Sequence, residues 1–341
     1  MEITPWMVIG FLLAAYSVTA NDSLQTLGSY LSSNEHRTPK RVQMVFLCTL
    51  TASVMMMGWF INNGEPAWGR LTAFPQPDCL TWAYLIPPIA VLVLTAWGAP
   101  VSTSFLVLSA FVPGTIGTLV AQSALGYLFA LSLGLAVWGL GLTLLERLLK
   151  PNHQASANSN NVWYFLQWCS TGSLWGLWLV QDLANIFIFL PRNIGLIPML
   201  LCTTALCSGL CALVAIGGGP IQGLLRSKTN ASDLRSATVI DLMFAICLLV
   251  QTQLSSFPLS TTWVFLGLLG GREIALTLRQ PSTENAAVKT AANPAENDSS
   301  TNAMGRLSKN LSQDIWKAGV GLIVSLTIAL GIQPLISLTT S

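Results

Sequence analysis

Charge is what this chain has least of. Asp, Glu, Lys and Arg make up 9% of its 341 residues, against about 25% in an ordinary soluble domain, which excludes a soluble globular fold. The net charge is only +2 and no Lys/Arg block is interleaved with aromatic residues, so nucleic acid is not an expected partner. The seven cysteines show no paired CxxC spacing. Cys202, Cys207 and Cys211 fall in one apolar run without histidine partners, and read as small packing residues rather than zinc ligands. The opening MEITPWMVIGFLLAAY lacks a basic n-region and a small-residue cleavage site, so its apolar run is expected to be a retained first helix. Gly217, Gly218 and Gly219 precede Pro220 with no Lys-Ser/Thr at phosphate-loop spacing after them. They mark a helix end rather than a phosphate-binding loop.

Hydrophobic residues, by contrast, make up 52% of the chain. Apolar stretches cover approximately 4–33, 42–62, 80–97, 103–120 and 122–149, then 161–190, 194–224, 236–257, 259–279 and 312–338. Most approach the roughly 20 residues that a helix needs to cross hydrocarbon, and none alternates like a barrel strand. The expected fold class is an all-α polytopic membrane protein in a lipid bilayer, the plasma or inner membrane. Residues 1–150 form the first half, 151–160 a polar linker and 161–341 the second half. In each half the third and fourth stretches are separated only by a Gly/Pro break, so each pair is expected to form a hairpin with its tip inside the membrane. Residues at about 280–310, rich in Ala, Asn, Ser and Thr, are expected to be a disordered cytoplasmic loop.

With the N-terminus outside and both hairpins returning to the side they left, fourteen of the sixteen basic residues fall on the cytoplasmic face. Only Arg70 and Arg192 remain outside. An odd number of segments per half then turns the second half upside down relative to the first. Each half would hold three membrane-spanning helices and one broken hairpin.

Polar residues inside these segments recur. Asn21-Asp22-x-x-Gln25 returns as Gln181-Asp182-x-x-Asn185, with the aspartates 160 positions apart, and Ser102-Thr103-Ser104 returns as Ser260-Thr261-Thr262, 158 positions apart. Two unrelated motifs at nearly one offset point to internal duplication. A carboxylate in mid-span costs at least ~2.5 kcal/mol, so it needs a partner, and neither segment carries a Lys or Arg. Spaced i and i+3, Asp22 with Gln25 and Asp182 with Asn185 each share a helix face and present oxygen ligands suited to a hard cation. Pro100 and Pro258 place the hydroxyl triplets at new helix N-termini, where unpaired N–H groups and the helix dipole favour an anion. A multivalent anion beside two aspartates needs accompanying cations, Na+ or H+.

These residues resemble the inorganic phosphate transporter (PiT) family, whose members carry a GANDxxN-type motif and a PVSTTH-type motif in each half. Ala20, Asn21, Asp22 and Gly28 match the first motif, with Gln25 in place of Asn. In the second half Asp182, Ala184 and Asn185 match, with Gln181 in place of Asn. Pro100, Val101, Ser102 and Thr103 match the later motif, as do Pro258, Ser260, Thr261 and Thr262. Phe105 and Trp263 stand where the family commonly has His, and Thr19 and Leu179 replace its opening Gly. The resemblance implies that Asn21, Asp22, Gln25, Gln181, Asp182 and Asn185 help hold the coupling cation, Asp22 and Asp182 ligating Na+ if sodium is the ion. It implies that Ser102, Thr103, Ser104, Ser260, Thr261 and Thr262 bind phosphate, in a symporter without cofactor or catalytic residues.

Sulfate or another tetrahedral oxyanion remains an alternative substrate. Two facing aspartates also admit an intramembrane aspartyl protease, and the replaced His positions admit a receptor without transport. Asp241 is expected to cap a helix start or to join a surface ion pair, and Arg272 with Glu273 to anchor at the interface. Gly267 and Gly271 would permit close helix approach, which leaves a homo-oligomer open.

Overall fold

The computed structural model describes residues 3–99, 101–112, 114, 116–141, 157–217, 234–254, 260–287, 316, 319–321 and 323–339. Every regular element among them is helical. In chain order they are α1 (Pro5–Asn34), α2 (Lys40–Ile61), α3 (Ile86–Ala96), α4 (Thr103–Phe111), α5 (Ile116–Leu135), α6 (Ala157–Phe187), α7 (Leu196–Ile216), α8 (Leu234–Leu254), α9 (Thr261–Ala287) and α10 (Gly319–Thr339). Short 3-10 turns at Arg70–Ala73 and Trp82–Leu85 lie between α2 and α3, and α5 ends in a π turn at Ala136–Leu140.

Five described helices are long and apolar enough to cross a membrane: α2, α5 with its π turn, α7, α8 and α10; a bent α1 makes six. The chain is a multi-pass membrane protein. Val45, Phe60, Ile197 and Leu201 are exposed on the outer faces, as lipid contact requires. Among the described residues α6 does not join this group despite its 31 residues. Its tryptophans and polar residues, Gln167, Ser170, Thr171, Gln181, Asp182 and Asn185, lower its hydropathy because they line the protein interior.

The ten elements follow the expected stretches closely, with three differences. The fourth stretch ends early: α4 stops at Phe111 and α5 starts at Ile116, so one expected apolar run is divided between two helices. α9 continues to Ala287, so the first residues of the loop expected at about 280–310 are helical; residues 288–310 lie outside those described. The hairpin arms are also unequal, α8 having 21 residues and α3 only 11.

Corresponding helices of the two halves pack antiparallel. Phe11 near the start of α1 meets Phe187 at the end of α6 with ring centroids 5.3 Å apart, and Tyr30 meets Trp168 at 5.6 Å. Lys40 at the start of α2 donates to the Ala215 carbonyl at the end of α7, 2.8 Å, while Trp59 at the end of α2 donates to the Ile194 carbonyl, 2.8 Å. Between these ends the contacts are reciprocal. Cys48 Sγ lies 3.6 Å from the Cys207 carbonyl, and Cys207 Sγ lies 3.7 Å from the Cys48 carbonyl.

α5 and α9 run parallel at close range through glycine. A Cβ on Gly134 would meet the Leu268 carbonyl at 2.6 Å, and one on Gly267 or Gly271 would clash with the backbone of α5, so the expected close approach is present. Arg272 follows this contact and is buried, 7% exposed, with Nη1 3.0 Å from Glu273 Oε1. It is a residue of the packed interior rather than an interfacial anchor. Gly271→Val should therefore destabilise the protein by about 2 kcal/mol or more, read as a lower melting temperature in detergent. Gly117→Ala on α5, with nothing within 4 Å of the added carbon, should leave it unchanged.

Candidate functional site

The first aspartate sits at a bend. Pro5–Ser23 and Gln25–Asn34 meet at 59°, and hydroxyls on either side bond back into the helix: Ser23 Oγ donates to the Thr19 carbonyl, and Thr26 Oγ1 to the Asp22 carbonyl at 3.0 Å. Such i−4 back-bonding loosens the helical ladder and favours bending. It turns Asp22, fully buried, toward the break between α3 and α4.

That break is fixed from both halves of the chain. The Val101 carbonyl accepts from Asn21 Nδ2 at 2.9 Å and from Thr262 Oγ1 at 2.8 Å. Asn21 Nδ2 also donates to Asp22 Oδ1, 2.6 Å, and its Oδ1 accepts from Thr95 Oγ1, 3.2 Å. Gln181, the counterpart of Asn21, donates to Thr252 Oγ1 at 2.6 Å and to the Leu248 carbonyl at 3.4 Å on α8. Thr95 and Thr252 thus hold equivalent amides, 157 positions apart, and neither was singled out from the sequence.

Both hydroxyl triplets start helices, as expected. Ser102 caps α4, its Oγ accepting from the Phe105 N–H at 3.3 Å, and Ser260 Oγ accepts from the Trp263 N–H at 3.4 Å at the start of α9. Pro100 and Pro258 lie outside the described residues. The Phe105 and Trp263 rings pack edge-on, centroids 5.9 Å apart, so an aromatic contact joins the two helix starts.

Thr103 is bonded to Asp22 directly and linked to Asp182 through Asn185. Its Oγ1 donates to Asp22 Oδ2 at 3.0 Å and accepts from Asn185 Nδ2 at 3.3 Å; Asn185 Nδ2 also reaches Ser104 Oγ at 3.1 Å and Asp182 Oδ1 at 2.7 Å. Asp22, Asp182, Asn185, Thr103 and Ser104 therefore form one connected group, fully or almost fully buried. Thr261 is turned toward Asp182 and the Trp178 indole toward Asp22, neither in full hydrogen-bonding geometry. Several buried oxygens here have no protein donor: Asp182 Oδ2, Asn185 Oδ1 and Thr261 Oγ1, with Gln181 Oε1 and Gln25 Oε1 elsewhere on the motifs. Lone pairs left in this state suit a hard cation. Among the described residues no three His, Cys, Asp or Glu side chains form a metal cluster, so a cation would rely on amide and hydroxyl oxygens beside the two carboxylates.

No known family's sequence profile matches the chain, and no curated protein does. One solved structure resembles it. Described as "The sodium-dependent phosphate transporter", that structure aligns at a TM-score of 0.53 and 15% identity, over 94% of this chain and 98% of its own. The likeness extends over both halves of the chain and shows that the two proteins share a fold.

Asp241 corrects the expectation of a cap or a surface pair. It is 1% exposed and lies between three helices, accepting from Ser29 Oγ on α1 and, on α6, from Thr171 Oγ1 at 2.6 Å and Gln167 Nε2 at 2.9 Å. Thr238 Oγ1 in turn donates to Gln167 Oε1 at 2.7 Å. Asp241 is saturated with donors where Asp182 is not. Asp241→Asn would turn an N–H toward these donors and should destabilise the fold by about 1–3 kcal/mol. Asp182→Asn relieves repulsion with Asp22 and should keep or raise the melting temperature in cation-free detergent; a fall equal to that of Asp241→Asn would contradict the distinction.

Proposed function

We propose that the protein is a secondary transporter that carries an inorganic oxyanion, phosphate first, together with Na+ or H+. The observation that carries this reading is the linkage of both aspartates, Asp22 directly and Asp182 through Asn185, and of both hydroxyl-bearing helix starts to the Val101–Thr103 segment. The description of the structural neighbour as a sodium-dependent phosphate transporter supports the same substrate and makes sodium the first cation to test. Sulfate is the second anion to test, because a tetrahedral oxyanion of similar size presents the same acceptors.

In this reading the cation binds among Asp22, Gln25, Asp182 and Asn185, near the oxygens that lack donors. The anion binds at the N-termini of α4 and α9. Ser102 and Ser260 use an oxygen lone pair to cap their helices, so their O–H groups remain directed donors, and backbone N–H groups of the first turns add to them. The antiparallel packing of α1 with α6 and of α2 with α7 supports a pair of inverted repeats that move against each other around this point. The N-terminus lies outside and the Lys/Arg-rich connections face the cytoplasm. A protease reading is less favoured, since Thr103 and Asn185 stand between the carboxylates where a catalytic dyad would share a proton.

Purified protein in liposomes should accumulate labelled phosphate when an inward Na+ or H+ gradient is imposed. Asp22→Asn or Asp182→Asn should reduce that uptake at least a hundredfold while the protein remains folded. Gradient-driven uptake of sulfate but not phosphate would change the substrate and keep the mechanism. No uptake of either under either gradient would sink the proposal.

A further inference from the structure

Three half-buried thiols meet where the two halves of the chain cross. Cys48 on α2 faces Cys207 and Cys211 on α7, and all three are partly exposed, whereas Cys202 and Cys247 are buried. Cys207 and Cys211 stand one helical turn apart, so their side chains project from one face of α7. The two differ in what they touch. Cys207 Sγ points at the Cys48 carbonyl, 3.7 Å away, while Cys211 Sγ lies 3.5 Å from the Cys48 sulfur itself.

The register of this crossing is pinned on both sides of the pair. At one end Lys40 Nζ donates to the Ala215 carbonyl at 2.8 Å; Ala215 follows Cys211 by one turn and Cys48 follows Lys40 by roughly two. At the other end Trp59 Nε1 donates to the Ile194 carbonyl, also at 2.8 Å. The two helices therefore cannot slide, and the sulfurs stay opposite each other. A disulfide sets its sulfurs about 2.05 Å apart, so these two must close by about 1.5 Å. That distance lies within the sweep of rotation about the two Cα–Cβ bonds. The exposed side of the pair adjoins Val45 on α2 and Ser208 on α7, both exposed on the outer surface of the helices, so the oxidant that reaches it is one that dissolves in hydrocarbon.

We propose that Cys48 and Cys211 are an oxidisable pair, which forms a reversible disulfide in the presence of a small apolar oxidant such as molecular oxygen and so ties the first half of the chain to the second. Two S–H bonds break and one S–S bond forms. O2 takes up the two electrons and the two protons and leaves as H2O2. A dithiol reductant returns both thiols by exchange and is itself oxidised to a disulfide. The bond joins residues 163 positions apart, and a cross-link that closes so long a loop restricts the unfolded chain strongly. Cys207, whose thiol is turned to a carbonyl, takes no part.

The test treats the full chain in detergent with O2 and a catalytic copper–phenanthroline complex, then denatures it and counts the remaining thiols as N-ethylmaleimide adducts by intact mass. Untreated protein should take up one adduct on each of its seven cysteines. Treated protein should take up two fewer, with the Cys48 and Cys211 peptides joined. Cys48→Ser and Cys211→Ser should each keep every thiol they have, while Cys207→Ser should still lose two, which keeps the pairing testable if one variant folds poorly. Oxidation should raise the melting temperature of the wild type by about 3 °C or more, a rise that dithiothreitol reverses and that Cys211→Ser does not show. A full set of adducts after treatment, or a link between other cysteines in its place, overturns the pairing. A Cys48–Cys211 link without the reversible rise overturns its role as a tie between the halves.

Discussion

A helix broken inside hydrocarbon leaves backbone groups that water cannot reach, and each must find a protein partner. At the tip between α3 and α4 that partner set is split between the two halves of the chain. The Val101 carbonyl is held by Asn21 from α1 and by Thr262 from the start of α9. Without those two donors the tip would carry an unsatisfied carbonyl, and the start of α4 would lose its fixed position. With them, Thr103 is placed between the two aspartates and the two helix N-termini are brought side by side. The bend at Asp22, the caps at Ser102 and Ser260, and the Phe105–Trp263 contact all act around this joint.

Three carboxylates are buried in the described part of the membrane region, and their surroundings separate them. Asp241 is satisfied by a serine, a threonine and a glutamine drawn from α1 and α6, which makes it a cross-link between helices. Asp22 has donors from Asn21 and Thr103. Asp182 has one oxygen held by Asn185 and one without a donor. Burial alone does not separate the three; the number of donors sets Asp241, which is satisfied within the protein, apart from Asp182, which is not.

Much of this was legible in the sequence because a polar residue stands out against an apolar background. The ten helices, the Asp motifs 160 residues apart and the helix starts at Ser102 and Ser260 could be read from pattern and spacing. What escaped depended on contacts between distant segments. Nothing near Asp241 shows that Ser29 and Thr171 would surround it, and the separation of α4 from α5 is hidden within one apolar run. Nor does the sequence show that Glu65 would fold the connecting segment around its carboxylate, accepting from three backbone N–H groups. The Val101 carbonyl belongs to the backbone, which side-chain patterning does not report.

The helix starts bear on the electrostatics from which coupling is inferred. From the sequence, two aspartates beside a multivalent anion leave a negative cluster that accompanying cations must neutralise. Each of two helix N-termini contributes roughly half a positive charge, and together they offset about one of the two aspartates. In the proposed symport the rest of the demand for cations comes from the remaining carboxylate and from the anion. Each negative charge brought into a low-dielectric site must arrive with a positive one, and both aspartates are linked to the start of α4, so that on this reading the two kinds of ion are accommodated together. The number of cations carried in the proposed cycle then follows the charge of the oxyanion, and the aspartates fix where the cations sit.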